Sequence, residues 1–437
     1  MSLEKFSEVI SELRKAKRWR FEYPKFNNIM SYSQISIYEI SFNKEKLPLF
    51  NPPLELFGGA AVDKNISLIE GEETYVPRSL GEEESRLSNL MRCIIYYESQ
   101  VVKRRLNRNI RVITDSGLLQ AIATRKKSEY KIASYHGQIF IECADRKSDM
   151  PKSIKYSGKR FVKIMTDRIT EGSVSHFQFI QEIELGKGFK VLIASKMDSF
   201  LTQKRLKELI DPQEFYTKNK VSGNEGYNKN NIIYIEMKSL FCRGFQPEFF
   251  KKSANSFLHE LKNCKYKFWP YLFKVIIKCV FTNQKAVVFG VRDKSFRQLG
   301  IKLISLSTLV LFMRKNKPYY YREYVFSLET VKRELRRIVS TVKDGEVYQF
   351  EITQSESKLS ILPETQWREA ANKIVDEQLR DWREKGIFSD EMKDGKSYDR
   401  QLDRLVKEGE DEALMEMIES LEKLHQHNVI PLADLQP

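Results

Sequence analysis

The stretches Lys190-Val-Leu-Ile-Ala-Ser-Lys-Met-Asp-Ser-Phe-Leu201 and Ile232-Ile-Tyr-Ile-Glu-Met-Lys238 organise the fold that this sequence predicts. Each is an apolar run of strand length that ends in charged side chains. Asp198 closes the first run, while Glu236 and Lys238 lie two residues apart and so share one strand face. An aspartate followed by Glu-x-Lys on the next strand is typical of phosphodiesterases, because the carboxylates hold a divalent cation and the ammonium orients a nucleophilic water. The spacing alone also occurs by chance in charged proteins.

The composition indicates a large core and a polyanionic partner. The chain has 437 residues, of which 41% are hydrophobic and 12% aromatic, enough for one large domain with appendages or for two domains. Its formal net charge is +15. The segment from Pro363 to the end has 11 Lys+Arg against 19 Asp+Glu, so the preceding body carries about +23. This asymmetry favours a nucleic-acid-binding body with an acidic tail, although a basic protein that is merely soluble would have the same charge.

The cysteines and the apolar runs indicate the cellular compartment in which the protein is expected. The five cysteines have no Cys-x-x-Cys pair and no matching histidine spacing, which argues against a zinc site and against a disulfide framework: Cys93, Cys143, Cys242, Cys264 and Cys279. The apolar runs at 273–281 and 303–313 are too short to span a bilayer, and the N-terminus lacks an apolar signal core. We therefore expect no membrane partner and an intracellular, reducing compartment, either cytosol or nucleus.

Strand patterns dominate the body and helical patterns lie between them. The predicted strands are 110–114, 131–134, 138–141, 189–194, 232–237, 285–289 and 348–353. The predicted helices of the body are 81–102, 118–124, 253–261 and 328–341. Residues 32–83 read as turn-rich with short strands, and the polar insert 202–231 reads as a mobile surface excursion. The mixture predicts an α+β domain with twisted mixed sheets.

Three segments differ in composition. Residues 1–44 predict an N-terminal helix and a basic segment, and residues 45–362 the α+β domain. Residues 363–437 predict an acidic α-helical C-terminal tail, for which we expect an interaction role. Whether this tail folds back on the body, binds another protein or is an appended segment is left open by the sequence.

The order of short motifs through the body resembles the DXO family of RNA 5′-end decapping and surveillance nucleases. The motifs are Asn51-Pro-Pro-Leu-Glu-Leu-Phe-Gly58, Ile113-Thr-Asp-Ser-Gly117, Gly137-Gln-Ile-Phe-Ile-Glu-Cys143, Tyr156-Ser-Gly-Lys-Arg-Phe-Val162, the two opening stretches, Phe273-Lys-Val-Ile-Ile-Lys278 and Val287-Val-Phe-Gly-Val-Arg-Asp-Lys294. The resemblance implies two twisted mixed β-sheets flanked by helices around a central pocket for the RNA 5′ end. It also implies removal of incomplete caps, or release of pyrophosphate from 5′-triphosphorylated RNA, with divalent metal ions.

Five positions depart from the family pattern, and the resemblance makes these the degenerate positions. Ser116 stands where the family has an arginine that contacts RNA phosphate, and Cys143 stands where a glutamate is expected. Val162 replaces a metal-ligating glutamate, Lys196 replaces the glutamate of Glu-x-Asp, and Lys278 replaces a glutamine. Because Lys196 shares a strand face with Asp198, its ammonium is able to occupy the place of the metal.

These departures predict a pseudoenzyme that binds or shields RNA 5′ ends. The same pattern of losses resembles the Cutoff-type branch of the family, which implies a nuclear adaptor with chromatin-associated protein partners. Such an adaptor protects nascent piRNA-precursor transcripts from decapping and transcription termination. We expect no catalytic residues and no cofactor, with Asp198, Glu236 and Lys238 as remnants, and Mg or Mn at Asp198 and Glu236 only if residual activity exists. Two alternatives remain open. One is a residual metal-dependent hydrolase or decapping enzyme that acts on RNA 5′ ends, and the other is a pure protein scaffold without RNA binding.

The candidate RNA contacts are basic side chains in four parts of the body. They are Lys103, Arg104, Arg105, Lys159, Arg160, Lys238 and Lys278.

Overall fold

The computed structural model describes residues 31–40, 66–75, 110–135, 138–144, 150–166, 176–185, 189–202 and 232–363, together with positions 87, 90 and 365. Within these ranges, no helix is both long and apolar enough to cross a membrane. Several predictions lie outside the described residues: the N-terminal helix, the motif at 51–58, the basic patch at 103–105, most of the insert at 202–231, and nearly all of the acidic tail.

The described residues contain twelve strands and six α-helices. The strands are β1 (Ser31–Ile40), β2 (Ile110–Asp115), β3 (Ser128–Tyr135), β4 (Gln138–Cys143), β5 (His176–Glu184), β6 (Lys190–Met197), β7 (Ser199–Thr202), β8 (Ile232–Phe241), β9 (Ala286–Arg292), β10 (Gln298–Ser305), β11 (Val347–Ile352) and β12 (Ser357–Ile361). The helices are α1 (Ser116–Thr124), α2 (Lys152–Met165), α3 (Ala254–Cys264), α4 (Phe268–Phe281), α5 (Leu306–Asn316) and α6 (Pro318–Thr341). All seven predicted strands and the predicted helices at 118–124, 253–261 and 328–341 are confirmed, whereas the predicted helix at 81–102 lies outside the described residues except for positions 87 and 90.

The strands form two mixed sheets, as the resemblance implies. In the described residues, one sheet has eight strands in the order β1-β5-β6-β2-β4-β3-β11-β12, and the other has four in the order β10-β9-β8-β7. Strand β2 runs parallel to β4 and β6, and β8 runs parallel to β9, while the remaining pairs are antiparallel. The α+β class with two mixed sheets and flanking helices is therefore confirmed, whereas the central pocket and the helical tail stay predictions.

Helix α4 contacts both sheets and fills the centre of the main core. Nine of its residues are buried, and Tyr271, Lys274 and Lys278 lie on its remaining, polar face. It packs against α1, α5 and α6. The buried Gln181 of β5 donates from Nε2 to the Phe281 carbonyl at 2.6 Å, which ties the end of α4 to the large sheet. This central position lets a polar side chain on α4 meet the small sheet.

The sequence prediction omitted several of the described elements: strands β1, β5, β7, β10 and β12, and helices α2, α4 and α5. The run 273–281 belongs to α4, and the run 303–313 is divided between β10 and α5, although no helix or strand was predicted for either. An apolar run without periodicity does not distinguish a buried helix from a buried strand, which explains both omissions. The turn-rich interpretation of 32–83 was also wrong at its start, because Ser31–Ile40 is a ten-residue strand paired with β5.

A second, smaller apolar cluster packs α2 against one face of the four-stranded sheet. Phe161 and Met165 of α2 contact Met237 and Val288 in this cluster. Gly290 of β9 permits the approach, because a Cβ atom there would overlap the ring of Phe161. Side chains alternate along a strand, so Glu236 and Lys238 face away from this cluster and toward α4.

Candidate functional site

Asp198 lies where the chain passes from one sheet to the other. It follows the last residue of β6 in the large sheet and precedes β7 in the small sheet. Its side chain is only 4% exposed. The backbone amide of Met237 on β8 donates to Asp198 Oδ2 at 3.1 Å. This bond joins the ends of the two stretches that the sequence singled out.

Glu236 is fully buried and binds two lysines. Lys238, two residues along β8, and Lys278, on α4, both donate to the same oxygen, Glu236 Oε1. The other oxygen, Oε2, has no hydrogen-bond partner among the described residues. Strand periodicity alone predicts the Lys238 contact. The Lys278 contact requires the position of α4.

Lys196 forms an ion pair with Asp198. The distance from Lys196 Nζ to Asp198 Oδ1 is 3.1 Å, and the contact lacks the alignment of a hydrogen bond. The proximity expected from their spacing is therefore observed. Together, Lys196, Lys238 and Lys278 surround Asp198 and Glu236, and we call these five residues the charged cluster.

The charged cluster favours the ionised forms of Asp198 and Lys238. Burial alone would raise the pKa of Asp198, but Lys196, Lys278 and Lys238, with the Met237 hydrogen bond, hold that pKa well below its ordinary value. Burial alone would lower the pKa of Lys238, but Glu236 and Asp198 raise it above its ordinary value. By formal charge, the cluster has three positive and two negative groups.

Tyr271 is a polar residue near this cluster that the sequence reasoning missed. Burial raises the pKa of its hydroxyl well above the usual value, and the charge of Glu236 adds to this effect. The hydroxyl has no hydrogen-bond partner in the described part of the chain. Tyr271 precedes Lys278 by seven residues on α4, which is two helical turns on one face. Recognition of α4 as a helix would have identified it.

Comparisons with known proteins identify the family. A sequence model described as RAI1-like PD-(D/E)XK nuclease matches residues 24–239. Residues 24–239 belong to this family. The match confirms the predicted resemblance to the DXO family, while degeneracy and the Cutoff-type branch stay predictions. No curated protein sequence matches the chain.

Solved Rai1 structures share the fold of this RAI1-like chain at low sequence identity. Scheffersomyces stipitis Rai1, in complex with (3′-NADP)+ and a calcium ion, is 16% identical and has a TM-score of 0.61. Candida albicans Rai1, in complex with pU5 and Mn²⁺, is 13% identical with a TM-score of 0.61. Both alignments cover 82% of this chain and 96% of the other. S. pombe Rai1 is 14% identical with a TM-score of 0.53, over 77% of this chain and 96% of that one.

Three of the predicted degenerate positions lie apart from the charged contacts of this RAI1-like chain. Ser116 is buried at the start of α1, where Gln120 Nε2 donates to its hydroxyl at 3.4 Å. Cys143, at the end of β4, packs against the main core, and Val162 packs against the cluster that contains Met237. Of the five positions, Lys196 and Lys278 make ion pairs within the charged cluster.

The predicted RNA contacts Lys159 and Arg160 pack against the segment 66–75. Arg160 pairs with Glu70 and donates from Nε to the Ser67 carbonyl at 2.9 Å. The Lys159 ammonium lies 4.7 Å from the centre of the Tyr75 ring. Their role in RNA binding stays a prediction, as does that of Lys238 and Lys278.

The RAI1-like fold implies a divalent metal, and the charged cluster does not suit one. Its two carboxylates face three ammonium groups, whereas a divalent cation needs an excess of anionic oxygen ligands. Across the described ranges, no group of three His, Cys, Asp or Glu side chains is arranged to hold a metal ion. The cluster therefore offers too few anionic oxygen ligands for a hard divalent cation.

Proposed function

We propose that this protein binds RNA 5′ ends and does not hydrolyse them. The observation that carries the proposal is the occupation of Glu236 Oε1 by both Lys238 and Lys278, with Lys196 on Asp198. The two carboxylates that would serve as metal ligands therefore already have cationic partners.

Electrostatics makes the entry of a divalent cation unfavourable. At about 4 Å and an effective dielectric constant of about 20, one ammonium repels a doubly charged cation by about 8 kcal/mol. A lysine relieves this repulsion only by leaving its carboxylate. For Lys238 that movement would break a contact to a fully buried partner.

The same positive excess suits a phosphate. C. albicans Rai1 was solved with pU5 and S. pombe Rai1 with 3′-FADP, both of which carry phosphate groups. A 5′ phosphate brought to the charged cluster meets three lysine ammonium groups, and lysine binds phosphate as a point charge. The fold and the charge together support RNA 5′-end binding that needs no divalent ion.

The test is RNA affinity with and without metal. We expect the Kd of 5′-monophosphorylated pentauridine to change less than about twofold between EDTA and Mn²⁺, and to rise steeply with salt because phosphate contacts release counterions. We also expect no product from 5′-triphosphorylated or capped RNA. Binding that requires Mn²⁺ would contradict the proposal, and absence of binding at low salt would favour the pure scaffold.

Residual hydrolysis is the second candidate, because Asp198, Glu236 and Lys238 lie together as the phosphodiesterase pattern requires. Its signature is product formation that Asp198→Ala and Glu236→Ala abolish and that Lys196→Ala accelerates. A product insensitive to Asp198→Ala and Glu236→Ala would indicate a contaminating nuclease.

The cellular role that we propose with RNA binding is nuclear. It follows from the resemblance of the departures at Val162 and Lys196 to the Cutoff-type branch, and consists of an adaptor that shields piRNA-precursor transcripts with chromatin-associated partners. Imaging of the tagged full chain tests the location, and removal of residues 363–437 tests whether the tail retains the partners. An exclusively cytoplasmic signal would refute the nuclear role.

A further inference from the structure

Two segments outside the charged cluster combine lysines with exposed tyrosines. Residues 262–274 run from the end of α3 into the first turns of α4, and residues 314–322 run from the end of α5 into the start of α6. Together they contain eight Lys and Arg residues and no Asp or Glu. We call their combined surface the lysine–tyrosine surface. The acid-free composition distinguishes it from ordinary solvated faces, where charges of both signs alternate.

Aromatic contacts hold the two segments side by side. The ring of Trp269 stacks on that of Phe312 with 5.7 Å between centroids. The ring of Phe273 lies 5.9 Å from that of Tyr320. The first turns of α4 therefore lie against the end of α5 and the start of α6, so the two basic segments form one continuous surface.

Two tyrosine rings on this surface are exposed to solvent. Tyr266 is 83% exposed and Tyr319 is 55% exposed, which is unusual for large aromatic side chains. The Lys267 ammonium lies 5.2 Å from the centre of the Tyr266 ring. An exposed ring beside a cation offers a stacking face and a phosphate contact at the same place.

The helix starts add to the positive potential. Helix α4 begins after Lys267 and α6 after Lys317, and neither start has a side-chain cap. The amide groups of both first turns thus contribute positive partial charge to the same surface as the lysines. An anionic chain that passes over the surface meets both.

We propose that the lysine–tyrosine surface binds single-stranded RNA. Single-stranded nucleic acids combine flat bases that stack on aromatic rings with phosphates that need cations, and Tyr266, Tyr319 and their lysine neighbours offer both. An acidic protein segment would use the lysines but would leave the exposed rings without a stacking partner. This assignment does not depend on the site at Glu236.

Which nucleotides of the RNA reach this surface depends on the proposed function, in which the 5′ phosphate lies at the charged cluster. Trp269 and Lys278 are nine residues apart on α4, which at about 1.5 Å per residue separates them by about 14 Å. Stacked nucleotides rise by about 3.4 Å each, so about four of them span this distance. An RNA whose 5′ phosphate lies at Lys278 therefore reaches the lysine–tyrosine surface from about its fifth nucleotide.

The experiment compares unstructured 5′-phosphorylated RNAs of 4 and 12 nucleotides, with fluorescence anisotropy as the readout. We expect the unmodified protein to bind the 12-mer at least about tenfold more tightly. The double variant Tyr266→Ala/Tyr319→Ala should weaken 12-mer binding about tenfold and change 4-mer binding less than about twofold. The double variant Lys267→Glu/Lys315→Glu should reduce the salt slope for the 12-mer by at least about 1.4, since each lost phosphate contact contributes about 0.7.

The matched control is Lys343→Glu/Lys358→Glu. It makes the same change in net charge at two exposed lysines, and Lys343 follows the far end of the 24-residue α6. We expect 12-mer binding by this variant to stay within about twofold of the unmodified protein. The substituted side chains of all three variants are exposed, and circular dichroism verifies that each one folds.

Each outcome separates this inference from the proposed function. Equal affinity for the 4-mer and the 12-mer refutes RNA binding by the surface and does not contradict the proposed 5′-end binding. Equal loss in the control variant also refutes the surface, because net charge then explains the binding. If the 12-mer binds through the two tyrosines while the 4-mer does not bind at all, RNA binding by the surface is supported and the proposed 5′-end binding is refuted. If no RNA binds but polyglutamate does, the surface recognises acidic protein and the inference is wrong.

Discussion

Replacement of Lys196 by glutamate tests whether a lysine stands in the place of a metal ion. The substitution removes the ammonium that lies 3.1 Å from Asp198 Oδ1 and adds a third carboxylate to the charged cluster. The cluster changes from three positive and two negative charges to two positive and three negative. We expect the variant to be less stable than the unmodified protein in EDTA and to regain stability with Mn²⁺.

The magnitude follows from the pair geometry. One ion pair at about 4 Å with an effective dielectric constant of about 20 gains about 4 kcal/mol, and the reversed charge costs as much, which gives a gross swing of about 8 kcal/mol. The Lys196 side chain is 40% exposed, so solvent screens most of this swing, and we expect a net loss of about 2 kcal/mol. A loss of this size lowers Tm by about 3 °C in a domain of this size. Mn²⁺ at about 100 times its Kd returns about 2.7 kcal/mol.

The assay is thermal unfolding of each protein in EDTA and in a Mn²⁺ titration. Lys252→Glu is the matched control, because Lys252 also lies 3.1 Å from a carboxylate, that of Glu260, and is 43% exposed. Lys196→Ala removes the ammonium without adding a carboxylate, so it separates the two effects. A rise in Tm with Mn²⁺ as large in the unmodified protein as in Lys196→Glu would refute the reasoning, and so would the absence of any rise in Lys196→Glu.

Three further predictions concern stability. The folded pKa of Asp198 lies below its unfolded value of about 3.9. Its contribution to the free energy of unfolding is therefore complete above about pH 4 and is lost as the pH falls below that. Asp198→Asn should flatten the acid side of the curve of stability against pH, measured by urea unfolding. Gly290→Ala should lose about 2 kcal/mol because the added methyl overlaps Phe161, while Gly158→Ala, which meets nothing within 4 Å in the middle of α2, should gain about 0.5 to 1 kcal/mol; equal urea midpoints would contradict this. Tyr271→Phe removes a buried hydroxyl without a partner among the described residues and should leave the free energy of unfolding unchanged or raise it by about 1 kcal/mol, whereas a loss above about 1 kcal/mol would reveal a missed hydrogen bond.

Local patterns predicted the strands that carry the candidate site. The runs that became β6 and β8 are continuous and apolar, and both end in charged side chains within two residues of each other. Because side chains alternate on a strand, the pairs Lys196–Asp198 and Glu236–Lys238 follow from sequence spacing alone, and both are observed. The order of the motifs also identified the family.

Other features depended on packing between distant parts of the chain. Helix α4 is apolar over most of its circumference, so the helical periodicity of its sequence is weak. Its position in the fold decides that Lys278 meets Glu236, 42 residues away. The joining of 262–274 to 314–322 likewise arises from ring packing between Trp269 and Phe312.

The sequence by itself determined seven of the twelve described strands and the pairs Lys196–Asp198 and Glu236–Lys238, because these depend on neighbours one or two residues apart. It also identified the family, through the order of short motifs. Only the tertiary structure decided that a second lysine reaches Glu236 and that Asp198 Oδ2 is bound by the amide of Met237. It also decided that Val162 faces an apolar cluster. The physical reason is that the number of cations around a buried carboxylate is set by how helices and sheets pack, and no local period of the sequence encodes that packing.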